Sequence, residues 1–118
     1  MLVDTSVWVD HLKKGDPKLE ALLHDGHVFC HPMIIGELAC GALAQHDRIL
    51  ALLYALPKAQ TVTHEEVMAF IYTRHLSGQG IGYIDASLLA SCMLSDLMLW
   101  TYDKRLENIA EKLGIGYR

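Results

Sequence analysis

Short apolar runs alternate with helix-forming segments along the chain, and this alternation constrains the fold most strongly. Three runs are read as strands: Met1–Val3 (MLV), His27–Cys30 (HVFC) and Leu97–Thr101 (LMLWT). Possible edge strands follow at Thr61–Val62 and Ile115–Tyr117. Strands that alternate with helices favour a parallel sheet covered on both faces. The sequence therefore predicts an α/β protein, a three-layer α/β/α sandwich with a central, mostly parallel sheet.

Local signals define several of the helices. Asp16-Pro17 supplies a cap and a first-turn proline, and Thr63-His64-Glu65-Glu66 matches the capping box. The segment Gly78–Gly82 (GQGIG) reads as a flexible loop. The predicted helices cover Thr5–Lys14, Lys18–His24, Met33–Leu43, Arg48–Leu56, Thr63 to about Ser77, Tyr83–Leu94 and Lys104–Leu113.

Length and composition predict one domain with an apolar surplus. The 118 residues contain no repeat or linker, so residues 1–118 are predicted to form a single domain. The chain is 52% hydrophobic and 20% charged, which excludes disorder and suggests an apolar surface for a partner. No segment resembles a secretory signal or a membrane span. Three cysteines without a CxxC motif (Cys30, Cys40, Cys92) predict reduced core thiols in a cytoplasmic protein.

Four carboxylates lack an ordinary structural partner in the sequence. Asp4 and Asp103 each follow an apolar strand, where a parallel sheet presents its ligand sites. Glu37 and Asp85 lie on apolar helices and have no cation three or four residues away. Taken singly, Asp4 and Asp103 could be helix caps, and Asp85 could serve only the helix dipole. The four follow one another at spacings of 33, 48 and 18 residues.

The segments around these acids resemble the PIN-domain nucleases. They read MLVDTSVWVD, IIGEL, IDASLLASC and LWTYDKRL, and they are most similar to the VapC-type toxins of bacterial toxin–antitoxin pairs. The resemblance extends over essentially the whole chain. It implies a PIN-like nuclease domain in which Asp4, Glu37, Asp85 and Asp103 form the catalytic, metal-binding cluster. Ser6 and Thr101 match hydroxyls that flank such clusters.

Converging carboxylates require a cation. Two carboxylates about 4 Å apart repel by roughly 4 kcal/mol at an effective dielectric of 20. Their hard oxygen ligands suit Mg²⁺, with Mn²⁺ as a substitute. The resemblance implies hydrolysis of an RNA phosphodiester that leaves a 5′-phosphate and a 3′-hydroxyl. Lys104 and Arg105 are candidate ligands for a substrate phosphate, although Lys104 could instead pair with Glu107.

The same resemblance implies two protein partners, a cognate VapB-type antitoxin and a second copy of the chain. The apolar stretch RILALLYAL (48–56) is a candidate surface for either. Two other functions remain open. One is a catalytically silent PIN-like scaffold that binds RNA or protein. The other is another acid-cluster phosphohydrolase, such as a haloacid-dehalogenase-like enzyme, which requires an acid where Ser6 stands. A zinc site at His24, His27 and His31 is disfavoured because their spacing matches no zinc motif.

Overall fold

A narrow parallel sheet forms the centre of the molecule. The computed structural model describes residues 1–117, in which β1 (Leu2–Val3) pairs in parallel with β2 (Leu99–Trp100). Single parallel bridges continue the sheet on both sides, and they join Leu2 to Phe29, Cys30 to Lys58 and Leu99 to Gly116. The chain order across the sheet is therefore 58, 29–30, β1, β2 and 116. The predicted α/β class with a parallel sheet is confirmed.

Seven helices surround the sheet within residues 1–117. They are α1 (Thr5–Lys14), α2 (Pro17–His24), α3 (Pro32–Ala39), α4 (His46–Ala55), α5 (His64–Thr73), α6 (Tyr83–Ser95) and α7 (Lys104–Lys112). Helix α6 is central, because seven consecutive residues, 86–92, are buried on all its sides. No helix in residues 1–117 is long and apolar enough to cross a membrane.

Two predicted helix starts are confirmed by their capping bonds. Asp16 Oδ1 accepts from the backbone N–H groups of Lys18 (3.0 Å) and Leu19 (3.2 Å). Thr63 Oγ1 accepts from the N–H of Glu66, whose carboxylate accepts in return from the N–H of Thr63. Both helices therefore begin where the sequence places a side-chain acceptor for otherwise unpaired donors.

The predicted ends of two helices are wrong. Helix α3 stops at Ala39 instead of Leu43, and Gly41, a weak helix former, follows its cap. Helix α5 stops at Thr73 because His75 adopts a left-handed conformation (φ 55°). The N–H of Leu76 then bonds to the carbonyl of Ile71, a Schellman closure, which turns Leu76 into the core.

The strands are shorter than predicted, and one lies elsewhere. His27–Cys30 and Ile115–Tyr117 contribute only single bridges, and Thr61–Val62 is not a strand. The edge pairing forms earlier, at Lys58, because the chain leaves α4 in an extended conformation directly beside Cys30. The N–H of Cys30 donates to the Pro57 carbonyl at 2.8 Å.

The cysteine prediction is correct for two of the three thiols. All three are free, and Cys30 and Cys92 are buried, as predicted for core thiols. Cys40 is exposed, because α3 ends before it and leaves it at the helix cap.

Candidate active site

Asp4 is held at the carboxyl end of β1 by two hydroxyl groups. Its side chain is buried, and its Oδ2 accepts from Ser6 Oγ at 2.8 Å and from Thr101 Oγ1 at 2.7 Å. Although Asp4 stands at the first position before α1, its carboxylate makes no capping bond to that helix. The two hydroxyls therefore orient the carboxylate, and the role of Asp4 is not that of a helix cap.

Thr101 connects Asp4 to the segment that follows β2. Its buried hydroxyl donates to Asp4 and accepts from the backbone N–H of Asp103 at 3.0 Å. The N–H of Tyr102 likewise donates to Ser6 Oγ at 3.0 Å. The two predicted supporting hydroxyls thus fix the ends of both central strands against each other.

Asp103 caps α7. Its Oδ1 accepts from the backbone N–H groups of Arg105 (3.0 Å) and Leu106 (3.2 Å). The capping alternative raised by the sequence is therefore correct for this residue. The capping bonds occupy Oδ1 and are compatible with a second role for Oδ2.

Glu37 is an exposed residue of α3 that is bound to the chain next to Asp4. Its Oε1 accepts from Thr5 Oγ1 at 2.7 Å. Helical spacing can indicate a cation on the same helix, whereas the partner of Glu37 is a hydroxyl on α1.

The electrostatic environment of Asp85 includes the charges of the other three acids. It is half-buried in the first turn of α6 and accepts a long bond (3.4 Å) from the N–H of Gly82. Burial raises the pKa of Asp85 most, and the negative charges of Asp4, Asp103 and Glu37 raise it further, against the Gly82 bond. All three other acids therefore act electrostatically on Asp85.

The donor set suits a hard divalent cation. Among residues 1–117, the hydrogen bonds to each acid use one carboxylate oxygen: Oδ2 of Asp4 and Asp85, Oε1 of Glu37 and Oδ1 of Asp103. A second oxygen on each remains for a ligand, and carboxylate oxygens are what such ions prefer. As placed, no three acidic, His or Cys side chains in this part of the chain are arranged to hold one ion.

A buried histidine that the sequence analysis did not assign links two of the acid-bearing helices. His31 Nδ1 accepts from the N–H of Met33 and caps α3, so Nε2 carries the proton and donates to Ser91 Oγ of α6 at 3.0 Å. Burial lowers the pKa of His31, which keeps the ring neutral. The only sequence signal was its position directly before Pro32.

A second unassigned contact anchors the segment next to Asp103. Tyr102 donates its hydroxyl to Asp16 Oδ2 at 2.6 Å. This bond raises the pKa of Tyr102 to about 12 and lowers the pKa of Asp16. It fixes the loop between β2 and α7 to the start of α2.

The two predicted phosphate ligands lie exposed in the first turn of α7. Neither Lys104 nor Arg105 belongs to an ion pair within residues 1–117, so the alternative pairing of Lys104 with Glu107 is not formed there. The helix dipole mildly disfavours cations at this end of α7.

Comparisons with known proteins identify the family. Residues 1–112 match the model of the PIN domain, and the chain belongs to the PIN-domain family. It is 44% identical over 117 residues to Ribonuclease VapC32 of Mycobacterium tuberculosis, in both the CDC 1551 / Oshkosh and the H37Rv strains. This alignment covers 98% of the chain and 94% of the relative, and it confirms the predicted resemblance to VapC-type proteins.

A solved structure supports the same fold. The crystal structure of PAE2754 from Pyrobaculum aerophilum superposes with a TM-score of 0.63, covering 95% of this chain and 84% of the other. Because the sequences are only 20% identical, this similarity concerns the fold alone. Membership of the PIN family excludes the haloacid-dehalogenase-like alternative.

Proposed function

We propose that the chain is a Mg²⁺-dependent endoribonuclease, the toxin of a toxin–antitoxin pair. The observation that carries the proposal is the hydrogen-bond network around Asp4, in which Thr101 joins Asp4 to the backbone of Asp103 and the neighbouring Thr5 bonds to Glu37. The negative charges of these three acids also raise the pKa of Asp85. The printed name of the M. tuberculosis relative, a ribonuclease, supports RNA as the substrate. The presence of all four acids argues against the silent-scaffold alternative.

The four carboxylates would hold the divalent ion. Asp4, Glu37, Asp85 and Asp103 offer oxygen ligands from four separate parts of the fold. When bound, such an ion polarises a phosphoryl oxygen and lowers the pKa of the attacking water. Mn²⁺, with similar ligand preferences, is expected to substitute for Mg²⁺.

The remaining residues orient the carboxylates and bind the substrate. Ser6 and Thr101 bond to Asp4, and Thr5 bonds to Glu37, which restricts the orientations that these two carboxylates can adopt. Lys104 and Arg105 contribute positive charge for the RNA backbone. Hydrolysis leaves a 5′-phosphate and a 3′-hydroxyl.

The proposed function predicts RNA cleavage that depends on a divalent ion. We expect purified protein to cleave a structured RNA in the presence of Mg²⁺ or Mn²⁺. Excess chelator should abolish this cleavage. Sequencing of RNA ends, after induction of the wild type and of Asp4→Asn in cells, identifies the target. Undiminished cleavage in chelator, or identical RNA ends from both proteins, contradicts the proposal.

We further propose that the antitoxin covers the apolar groove between α1, α2 and α4. The groove encloses about 300 Å³, and its lining includes Trp8, Leu23 and Leu53. The indole N–H of Trp8 is buried and has no hydrogen-bond partner within residues 1–117. Leu52, which also lines the groove, is more than half exposed. An antitoxin arginine near the acids would bind a carboxylate bidentately.

A second apolar surface supports the proposed homodimer. Tyr72 of α5 is 84% exposed, and Met68 on the same helix is about half exposed. We expect light scattering to give twice the chain mass at on the order of tens of micromolar protein, since association follows mass action. A monomer at that concentration contradicts the dimer and leaves the proposed chemistry unaffected.

A further inference from the structure

The side chain of Arg105 lies across the backbone of Gly80. A Cβ atom built on Gly80 would stand 2.7 Å from Arg105 Cδ, 3.0 Å from Nη1 and 3.1 Å from Nε. These three atoms span the outer half of the arginine. Because only glycine leaves this space, the identity of residue 80 determines whether the guanidinium can occupy its position.

The contact joins the two segments that carry Asp85 and Asp103. Gly80 lies in the loop that leads into α6, two residues before Gly82, which bonds to Asp85. Arg105 lies in the first turn of α7 and donates its backbone N–H to Asp103. The contact between Gly80 and Arg105 therefore joins the segment before Asp85 to the segment after Asp103.

The charge of Arg105 is not used within the described part of the chain. Arg105 is in neither ion pair of residues 1–117, and no side-chain hydrogen bond there involves its guanidinium. A guanidinium that lies against backbone and has no partner in this part of the chain remains available to an external anion.

We propose that Arg105 binds a backbone phosphate that flanks the cleaved bond, and that Gly80 is the residue that positions it. This inference rests on the proposed RNA substrate. A guanidinium binds phosphate oxygens through two parallel N–H groups, and its long side chain loses rotamer entropy when it is ordered. Packing on Gly80 orders the side chain before the RNA arrives, which is a form of preorganisation.

The chain contains a matched control for this role. Gly78 has nearly the same left-handed backbone (φ 75° against 81° for Gly80), but a Cβ atom there meets nothing within 4 Å. Replacement of either glycine by alanine therefore introduces similar backbone strain. Only Gly80→Ala also displaces Arg105.

The test measures RNA affinity as a function of salt. Binding of a short mixed-sequence single-stranded RNA is titrated at fixed Mg²⁺ in the Asp4→Asn background, so that cleavage does not interfere. We expect Arg105→Ala to reduce the slope of log Kobs against log salt by about 0.7, the value for one lost contact to a single strand. Gly80→Ala should give a similar reduction, and Gly78→Ala should leave the slope unchanged.

A double variant and the kinetics complete the test. Gly80→Ala should add nothing to the slope change in an Arg105→Ala protein, because the glycine acts through the arginine. With Asp4 restored, Arg105→Ala should raise KM by roughly tenfold and change kcat less, as expected for uniform binding. Arg105→Lys should recover only part of the affinity, because the ammonium lacks the planar fork.

The outcomes separate this proposal from the one it rests on. An unchanged slope in Arg105→Ala, or equal effects of Gly80→Ala and Gly78→Ala, overturns the role of the pair even if the wild type cleaves RNA. Arg105 is exposed, so its variants test the proposal even if Gly80→Ala fails to fold. If the wild type cleaves no RNA, the enzymatic assignment fails, and the salt slopes still decide whether Arg105 binds a phosphate.

Discussion

Asp4→Asn should lower the rate of RNA cleavage by at least about a hundredfold, the loss typical when charge is removed from a metal-assisted transition state. An asparagine oxygen can still accept from Ser6 and Thr101, so the substitution removes the charge and retains the surrounding hydrogen bonds. The measurement is the single-turnover rate at saturating Mg²⁺. Glu37→Gln should act similarly, because its amide oxygen can still accept from Thr5.

Asp10→Asn provides the matched control. Asp10 lies on α1, six residues beyond Asp4, and its carboxylate pairs at the surface with Lys14 at 3.3 Å. The variant makes the same change in charge on the neighbouring helix and should cleave at the wild-type rate. Comparable losses of cleavage rate in both variants would show that Asp4 acts through the net charge of the protein, and not through the site. All proteins are purified in parallel to detect a contaminating nuclease.

Asp85→Asn should stabilise the protein in the presence of chelator, by roughly 1–2 kcal/mol of unfolding free energy, the usual scale of strain at functional sites. Burial and three neighbouring acids raise the pKa of Asp85, so its charged form is disfavoured in the fold. The resulting loss of unfolding free energy is fully present at pH values above the folded-state pKa of Asp85. It disappears as the pH falls below about 3.9, the ordinary aspartate value, where the group is protonated in both states.

Urea unfolding of both proteins, at neutral and acidic pH and with and without Mg²⁺, measures this effect. An asparagine can still accept from Gly82, so the start of α6 is retained. Mg²⁺ should stabilise the wild type more than the variant, since a ligand stabilises a fold only as far as it prefers the native state. A purely dipole-stabilised Asp85 would give the opposite sign, a loss of about 0.3–1 kcal/mol, and equal responses to Mg²⁺.

The sequence was informative where local chemistry decides the structure. The apolar runs predicted the central strands because Leu2 and Leu99 are buried there, and Asp16 and Thr63 predicted helix starts through their own side chains. Glu37 and Asp85 stood out because their helices offered no cation, and Asp4 and Asp103 stood out because each follows an apolar strand. The parallel sheet brings the carboxyl ends of β1 and β2, and with them Asp4 and Asp103, to one edge.

Long-range contacts were beyond the reach of these patterns. The bond of His31 to Ser91 spans 60 residues, and that of Tyr102 to Asp16 spans 86. The left-handed conformations of His75, which ends one helix, and of Gln45, which precedes another, could not be predicted either. Neither residue type is a strong signal for a helix boundary. The contact of Arg105 with Gly80 depends on the spatial approach of a loop and a helix that no sequence period encodes.

The hydrogen bond between Asp4 and Thr101 has a consequence for a chain that is still being made. It joins residues 97 positions apart, so one partner leaves the ribosome long before the other. At synthesis rates of roughly 5–20 residues per second, Asp4 precedes Thr101 by roughly 5–20 seconds. During that interval the Thr101 hydroxyl that bonds to Asp4 has not been made, and neither has Asp103, so the set of four acids is incomplete. A truncated product that stops before residue 101 therefore has the first three acids but lacks the segment that brings the site together.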